Sequence, residues 1–391
     1  MKNWQDKENK IAAVPGKNSR MANLEMLRCI AMLMVVVLHY LGKGELLGDM
    51  TAGSLTGTQM VAWVLESFCI VAVNVYMLIS GYFLSCSSFK LSRLLKLWLQ
   101  VWFYSVGIGL LGAFTGLLPA EEFDTHYLLT LLFPITMEHY WFMTAYVFLY
   151  LLLPYVSMAV RSMNKRQMQM ALGVLLLVFC VLKSILPVRL ETDQKGYDCI
   201  WYLCVFLTAA YIRRFGMPFL QKKRRCVCLY VAACAAIFAE TMCLHQINLR
   251  TGSLGWIMHI AQEYNHLFPF LAAIGLFMTF LMTDVSGLKA RLAKRIAPYT
   301  LGVYLLHENM GVRYAWQEWL GADRVSGIPG LLLSVLTAAV IVFSVGILVD
   351  FLRELFMRGL HTVLMRFALY RRVTDRIGAV DAMCKKSTSQ A

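Results

Sequence analysis

Apolar residues run along this chain in blocks of about 18 to 25, separated by short stretches that carry most of the Lys, Arg and Glu. A helix rising 1.5 Å per residue crosses roughly 30 Å of hydrocarbon in about that length. The blocks predict transmembrane helices near 24–41, 61–84, 94–118, 140–160, 168–187, 199–212, 226–244, 267–283, 299–317 and 329–350, the sixth being short for a span. Strands of a membrane barrel would alternate in polarity over about 10 residues, and these blocks do not. The expected fold is therefore an all-α membrane protein, a polytopic bundle of about ten helices.

One transmembrane domain is expected over 24–350, since no internal repeat, linker or low-complexity tract divides it. Residues 1–23 are polar and basic and read as a cytosolic tail, not a signal peptide. Residues 351–391 are basic and partly amphipathic, as in Arg353-Glu-Leu-Phe-Met-Arg-Gly-Leu-His, and are expected along the inner membrane face. No soluble catalytic domain is expected at either end.

Composition supports this reading. Of 391 residues, 59% are apolar and 15% charged, where a soluble domain carries roughly 25% charged residues. A formal charge of +14 would suit nucleic acid or anionic lipid, but its distribution decides between them. Alternate loops hold 29 Lys and Arg on one side and 5 on the other (Lys43, Arg189, Lys195, Arg250 and Arg324). That bias predicts an even number of crossings with both termini in the cytosol. Nucleic-acid binding is not expected, because no basic patch sits in a foldable soluble domain. The 11 cysteines, among them Cys29, Cys69, Cys180, Cys204 and Cys234, fall mainly inside spans without metal-ligand spacing and read as small apolar fillers.

The first span carries the chemistry. Arg28 and His39 are eleven residues apart, just over three full turns, so on a helix both face nearly the same way, about 16 Å apart along the axis. Glu25, three residues before Arg28, can pair with it on one face. Either cation could instead snorkel to the headgroups, but ionisable groups within a span usually mark a site, since stranding them in lipid is costly.

These residues resemble acyltransferase family 3, membrane O-acyltransferases of surface polysaccharides, peptidoglycan, lipids and some antibiotics. That family opens with Leu-Asp-x-Leu and an Arg, then ten residues, then His. Here Leu24-Glu25-Met26-Leu27-Arg28 precedes His39, with Glu in place of Asp. Its second span ends Phe-x-x-x-Ser-Gly-Phe, matched by Tyr76-Met77-Leu78-Ile79-Ser80-Gly81-Tyr82 with both aromatics replaced by Tyr. His139-Tyr140-Trp141-Phe142, followed by Tyr146, Tyr150 and Pro154, resembles the family's Trp-Phe element. Tyr299-Thr-Leu-Gly-Val-Tyr304-Leu-Leu-His307 resembles its late Ser-Tyr-x-x-Tyr-Leu-x-His. The matches follow the family's order and cover most of the chain, without the extracytoplasmic hydrolase-like domain of some members.

The resemblance implies a bacterial cytoplasmic-membrane enzyme that moves an acyl group, most often acetyl, from acyl-CoA to a hydroxyl of a cell-surface glycan or related acceptor. Acyl-CoA would be a co-substrate, with no bound cofactor and no metal. Arg28, Arg93 and Lys96 are the expected donor-binding residues, the last two being also ordinary cytosol-side cations. His39 is the expected general base, since imidazole can take a hydroxyl proton at working pH. Direct transfer is preferred, with an acyl-histidine intermediate left open. Arg28, Ser80 or Tyr304 could supply the oxyanion donor.

Glu25, Tyr82, Asn74 and His307 are further pocket candidates, although Asn74 would serve equally as an interhelical hydrogen bond. Glu66 and Glu240 could handle protons or simply be paired. Tyr140 and Trp141 are candidates for acceptor binding, while these two with Trp256, Trp316 and Trp319 also fit an interfacial belt. His126 and His139, near Glu121, Glu122, Asp124 and Glu138, lack zinc-ligand spacing. The main rival function is an exporter or flippase of a glycan or lipid-linked sugar, against which stands the lack of repeat symmetry and of paired broken helices. A binding-only sensor or scaffold is the third reading.

Overall fold

The computed structural model describes residues 21–51, 53–116, 124–186 and 193–390. Residues 1–20 of the tail expected over 1–23, with Glu121, Glu122 and Arg189, lie outside the described residues. Among those described, every regular element is helical, and eight helices are long and apolar enough to cross a membrane. The first is α1 (Ala22–Lys43). The second divides at Ile70 and Val71 into α2 (Gly57–Cys69) and α3 (Ala72–Leu84). Then come α4 (Leu91–Thr115) and α5 (Trp141–Ser162). The fifth, α6 (Lys165–Leu176), continues through a π-helical turn at Leu177–Val181 into Leu182–Ile185. Three more are α8 (Lys223–Thr251), the stretch Gly255–Leu281, in which short 3-10 turns lead into α9 (Leu267–Leu281), and α12 (Gly327–Leu364). Between them lie the shorter α7 (Cys199–Phe215), α10 (Gly287–Ile296) and α11 (Thr300–His307), and α13 (Ala368–Gln390) ends the chain.

Two expected spans are thus shorter than a full crossing. α7 has 17 residues and is buried almost throughout from Trp201 to Ile212. α11 has 8, so the expected span at 299–317 is not one helix. Asn309 is what turns the chain after His307. Its Oδ1 accepts from Gly311 N–H at 3.0 Å, while its Nδ2 donates to the Tyr140 hydroxyl at 3.0 Å and the Tyr104 carbonyl at 3.3 Å. The His139 imidazole accepts the Met310 N–H at 3.0 Å. Backbone groups that a helix would satisfy are met by side chains instead, which makes non-helical chain tolerable in a buried position. The expected boundary at 350 is also crossed, since α12 continues unbroken to Leu364.

The outer helices turn apolar side chains outward. On α12, Leu332, Leu333, Leu336, Val340 and Leu348 are exposed, while Ala338, Ala339, Val342 and Gly346 face inward. Such a face suits hydrocarbon and not water. At the centre, α1, α3, α7 and α9 pack together through small residues. A Cβ on Gly81 would stand 2.9 Å from the Phe206 Cα of α7, so the Gly of the Ser-Gly pair is what lets α3 and α7 touch. On the other flank, α11 and α12 interlock. A Cβ on Gly302 would meet the Asp350 Cβ at 2.3 Å, and one on Gly346 the Val303 Cα at 2.6 Å.

Candidate active site

One stripe of α1 (Glu25, Arg28, Met32, Val35 and His39) lines a cavity of about 1280 Å³. The helical period alone puts these residues on one face. At the end where α1 begins, Arg28 Nη1 donates to Glu25 Oε2 at 2.8 Å, and the carboxylate is buried. Tyr76 of α3 also lines the cavity, and its hydroxyl donates to the Arg28 carbonyl at 2.8 Å. The hydroxyl that distinguishes Tyr76 from the family's Phe thus ties α3 to α1 beside the guanidinium. Arg93 and Lys96 on α4 line the mouth at the same end, with Ser80 and Thr300 further along the wall.

At the far end, His39 meets α11. Its Nδ1 lies 2.9 Å from His307 Nε2 and 3.1 Å from Glu308 Oε1, and Lys43 donates to the same carboxylate oxygen. The other His307 nitrogen, Nδ1, is 2.6 Å from the Val303 carbonyl, which only accepts. In the neutral ring Nδ1 therefore carries the proton and Nε2 is an acceptor. His39 Nδ1 then donates, and Nε2 of His39 keeps its lone pair. A general base in that tautomer, backed by a carboxylate, is equipped to take a proton.

The same three groups are the one described set that could hold a metal ion, with ligand atoms within 4.8 Å of one another. The Lys43 ammonium on Glu308 already balances the carboxylate there, which disfavours a dication. At His139 both ring nitrogens are engaged, with Ser105 Oγ at 3.0 Å and Met310 N–H at 3.0 Å. Burial, with the Arg313 guanidinium nearby, lowers its pKa to about 3, so the ring is neutral.

The remaining candidates separate. Tyr304 and Trp141 line the cavity, Trp141 stacking on Tyr264 with ring centroids 5.8 Å apart. Three others have structural partners and are not among the lining residues. Tyr82 lies under the Arg213 guanidinium, 4.6 Å from its ring centroid. Asn74 donates to the Tyr264 carbonyl at 2.7 Å and accepts from Trp201 Nε1 at 2.9 Å. Tyr140 is buried, with its hydroxyl donating to the Leu305 carbonyl at 2.9 Å. Trp316 is likewise buried, beside the His307 ring, whereas Trp256 and Trp319 are exposed. Glu66 is buried, and Glu240 lies 3.4 Å from His266.

Sequence reasoning missed two buried charges. Asp350 lines the cavity and accepts from Gln100 at 2.9 Å, Tyr104 at 3.1 Å and Arg353 Nε at 2.6 Å. Lys183 is buried against Asp193 at 2.7 Å, Glu263 at 2.6 Å and Asn265 at 2.6 Å, pinning the segment that delivers Tyr264. The available signal was an ionisable residue at the end of an apolar block.

A multi-pass membrane protein whose cavity joins a guanidinium to a carboxylate-backed imidazole is the class that fold and site define. Residues 21–349 match the family model of acyltransferase family 3, described as an acyltransferase domain, and the chain belongs to that family. It is a membrane acyltransferase. Comparison with the curated proteins and with the solved structures gave no match.

Proposed function

We propose that this chain transfers an acyl group, acetyl by the family's commonest usage, from acyl-CoA to a hydroxyl of a cell-surface glycan or related acceptor in a bacterial cytoplasmic membrane. The observation that carries this reading is that Arg28 and His39 line one cavity whose mouth carries Arg93 and Lys96. About ten crossings with both termini in the cytosol would place that mouth on the side where acyl-CoA is found.

In this reading the cations of the mouth take the donor's phosphates, and Arg28 holds its arm deeper in. About 16 Å of helix separates Arg28 from His39, so Arg28 serves the donor and is too far away to steady the oxyanion. Tyr304, whose ring centroid lies 6.2 Å from that of His307, stands on the right side for that task. His39 Nε2 takes the acceptor's hydroxyl proton as the oxygen forms a C–O bond to the thioester carbonyl carbon. The tetrahedral oxyanion collapses, the C–S bond breaks, and the departing thiolate takes the proton from the imidazolium. Trp141 offers a face on which a sugar ring can stack.

Transfer of labelled acetyl from acetyl-CoA by the purified protein tests the proposal. His39→Ala should insert and purify as the wild type does, with no transfer. Acylation by that variant at the wild-type rate would overturn the assignment.

A further inference from the structure

The family model ends at residue 349, yet the cavity wall continues beyond it. α12 runs on to Leu364 and brings Arg353, Arg358 and His361 to the mouth, where Tyr370 of α13 joins them. These side chains line the same cavity as Arg93 and Lys96 of α4. The C-terminal segment is a fixed wall. Ser92 donates to Asp381 through its hydroxyl at 2.5 Å and its N–H at 3.3 Å, pinning α13 to α4 one residue before Arg93. The Tyr370 hydroxyl and His361 Nδ1, 2.9 Å apart, join α13 to α12.

From this we infer that residues 353–370 complete the donor site and hold the phosphates of its nucleotide end, with Arg358 as the principal contact. The inference rests on the acyl-CoA reading above. Among the lining residues at the mouth, Arg93, Lys96, Arg353 and Arg358 face Asp350 and Glu354, which leaves an excess of positive charge. Arg353 is held by Asp350, with Nε at 2.6 Å and Nη2 at 3.3 Å. Arg358 is different. It rests on the partly exposed Glu354 at 2.5 Å, its own side chain is 70% exposed, and it can turn its fork onto a phosphate. An anionic lipid headgroup has the same phosphate chemistry. The polar groups further in (Gln100, Arg28, Ser80) suit the amide-bearing arm of coenzyme A better than a hydrocarbon tail.

The test uses the full-length protein in nanodiscs of phosphatidylcholine or of phosphatidylglycerol. Adenosine 3′-phosphate 5′-diphosphate, which carries the donor's phosphates without its thioester, should bind the wild type in both lipids and bind Arg358→Ala about tenfold more weakly, as loss of a charge-assisted contact implies. The KM for acetyl-CoA should rise by a similar factor, while kcat and the KM for S-acetylpantetheine stay unchanged. Arg358→Lys should recover part of the loss. Equal nucleotide binding by wild type and Arg358→Ala, no binding by either, or a difference confined to phosphatidylglycerol would overturn the inference. Loss of nucleotide affinity in Arg358→Ala, with no acyl transfer by the wild type from either donor, would uphold this site and sink the proposed acetyl transfer instead.

Discussion

At the scale of single residues, the chemistry turns on which nitrogen of His39 holds a proton. His307 fixes this without lining the cavity itself. Its Nδ1 is committed to the Val303 carbonyl at 2.6 Å, so its Nε2 receives the proton of His39 Nδ1 at 2.9 Å. His307 is therefore a positioning residue. Replacing it with Ala leaves the Glu308 carboxylate, already engaged by Lys43, to hold the His39 tautomer alone, and kcat should fall by up to about 10²-fold, the lower range for general-base catalysis. The KM for the donor should hold. His307→Gln returns a carbonyl oxygen that can accept from Nδ1 and should recover part of kcat. A purely structural role would lower the yield of folded protein in both variants and separate neither kcat from KM nor Gln from Ala. The spacing of Arg28 and His39 was legible in sequence because one helix carries both. The meeting of His39 with His307 and Glu308 was not, because 268 residues separate the two histidines in the chain and only packing brings them together.

At the scale of elements, helix existence followed from length and apolarity, and the ends did not. Hydropathy read 299–317 as a span because the residues there are apolar on average. The helix ends at His307 because Asn309 and His139 satisfy the backbone of the turn, and hydropathy cannot register a hydrogen bond from a distant side chain. Asp350 was passed over for a related reason. It lies at the end of an apolar block, where an acid ordinarily reaches water, but α12 continues and keeps it buried against Gln100, Tyr104 and Arg353. The contact that sets α11 on α12 is Gly302 against Asp350. In Gly302→Ala the new methyl would stand 2.3 Å from the Asp350 Cβ and 2.7 Å from its Oδ1, both backed by buried helix. The helices must part, at a cost of about 1–3 kcal/mol. The apparent melting temperature in detergent should drop by several degrees, and kcat should fall with it, because α11 carries Tyr304 and His307. An unchanged melting temperature would show that the two helices do not need this approach.

For the whole molecule, the question is how α7 and α11 sit in the bilayer. α7 rises about 25 Å, short of roughly 30 Å of hydrocarbon. It lies inside the bundle, where neighbouring helices and not lipid surround it. α11 and the turns after it run beside α1 from the cavity-lining Thr300 to the Gln317 side chain, which donates to the His39 carbonyl at 3.2 Å. A half-length helix continued by non-helical chain is tolerated at membrane depth where protein encloses it. If both elements complete a crossing, the basic stretch at 213–225 and the turn at Gly252 and Ser253 lie on opposite sides, the first in the cytosol. If neither does, the two exchange sides and residues 284–298 move outside as well, so ten Lys and Arg would face outward against the charge bias of the other loops. An epitope inserted after the exposed Ser253, in the loop that follows α8, separates the alternatives. In intact cells it should be reached by antibody, whereas a C-terminal epitope should need permeabilisation. An epitope at 253 that stays hidden until the cells are opened would leave eight crossings and place the loop after α8 in the cytosol. The mouth at Arg93 would keep its side in either case, because only the crossings at Ala22–Lys43 and Gly57–Leu84 precede it and neither depends on α7 or α11.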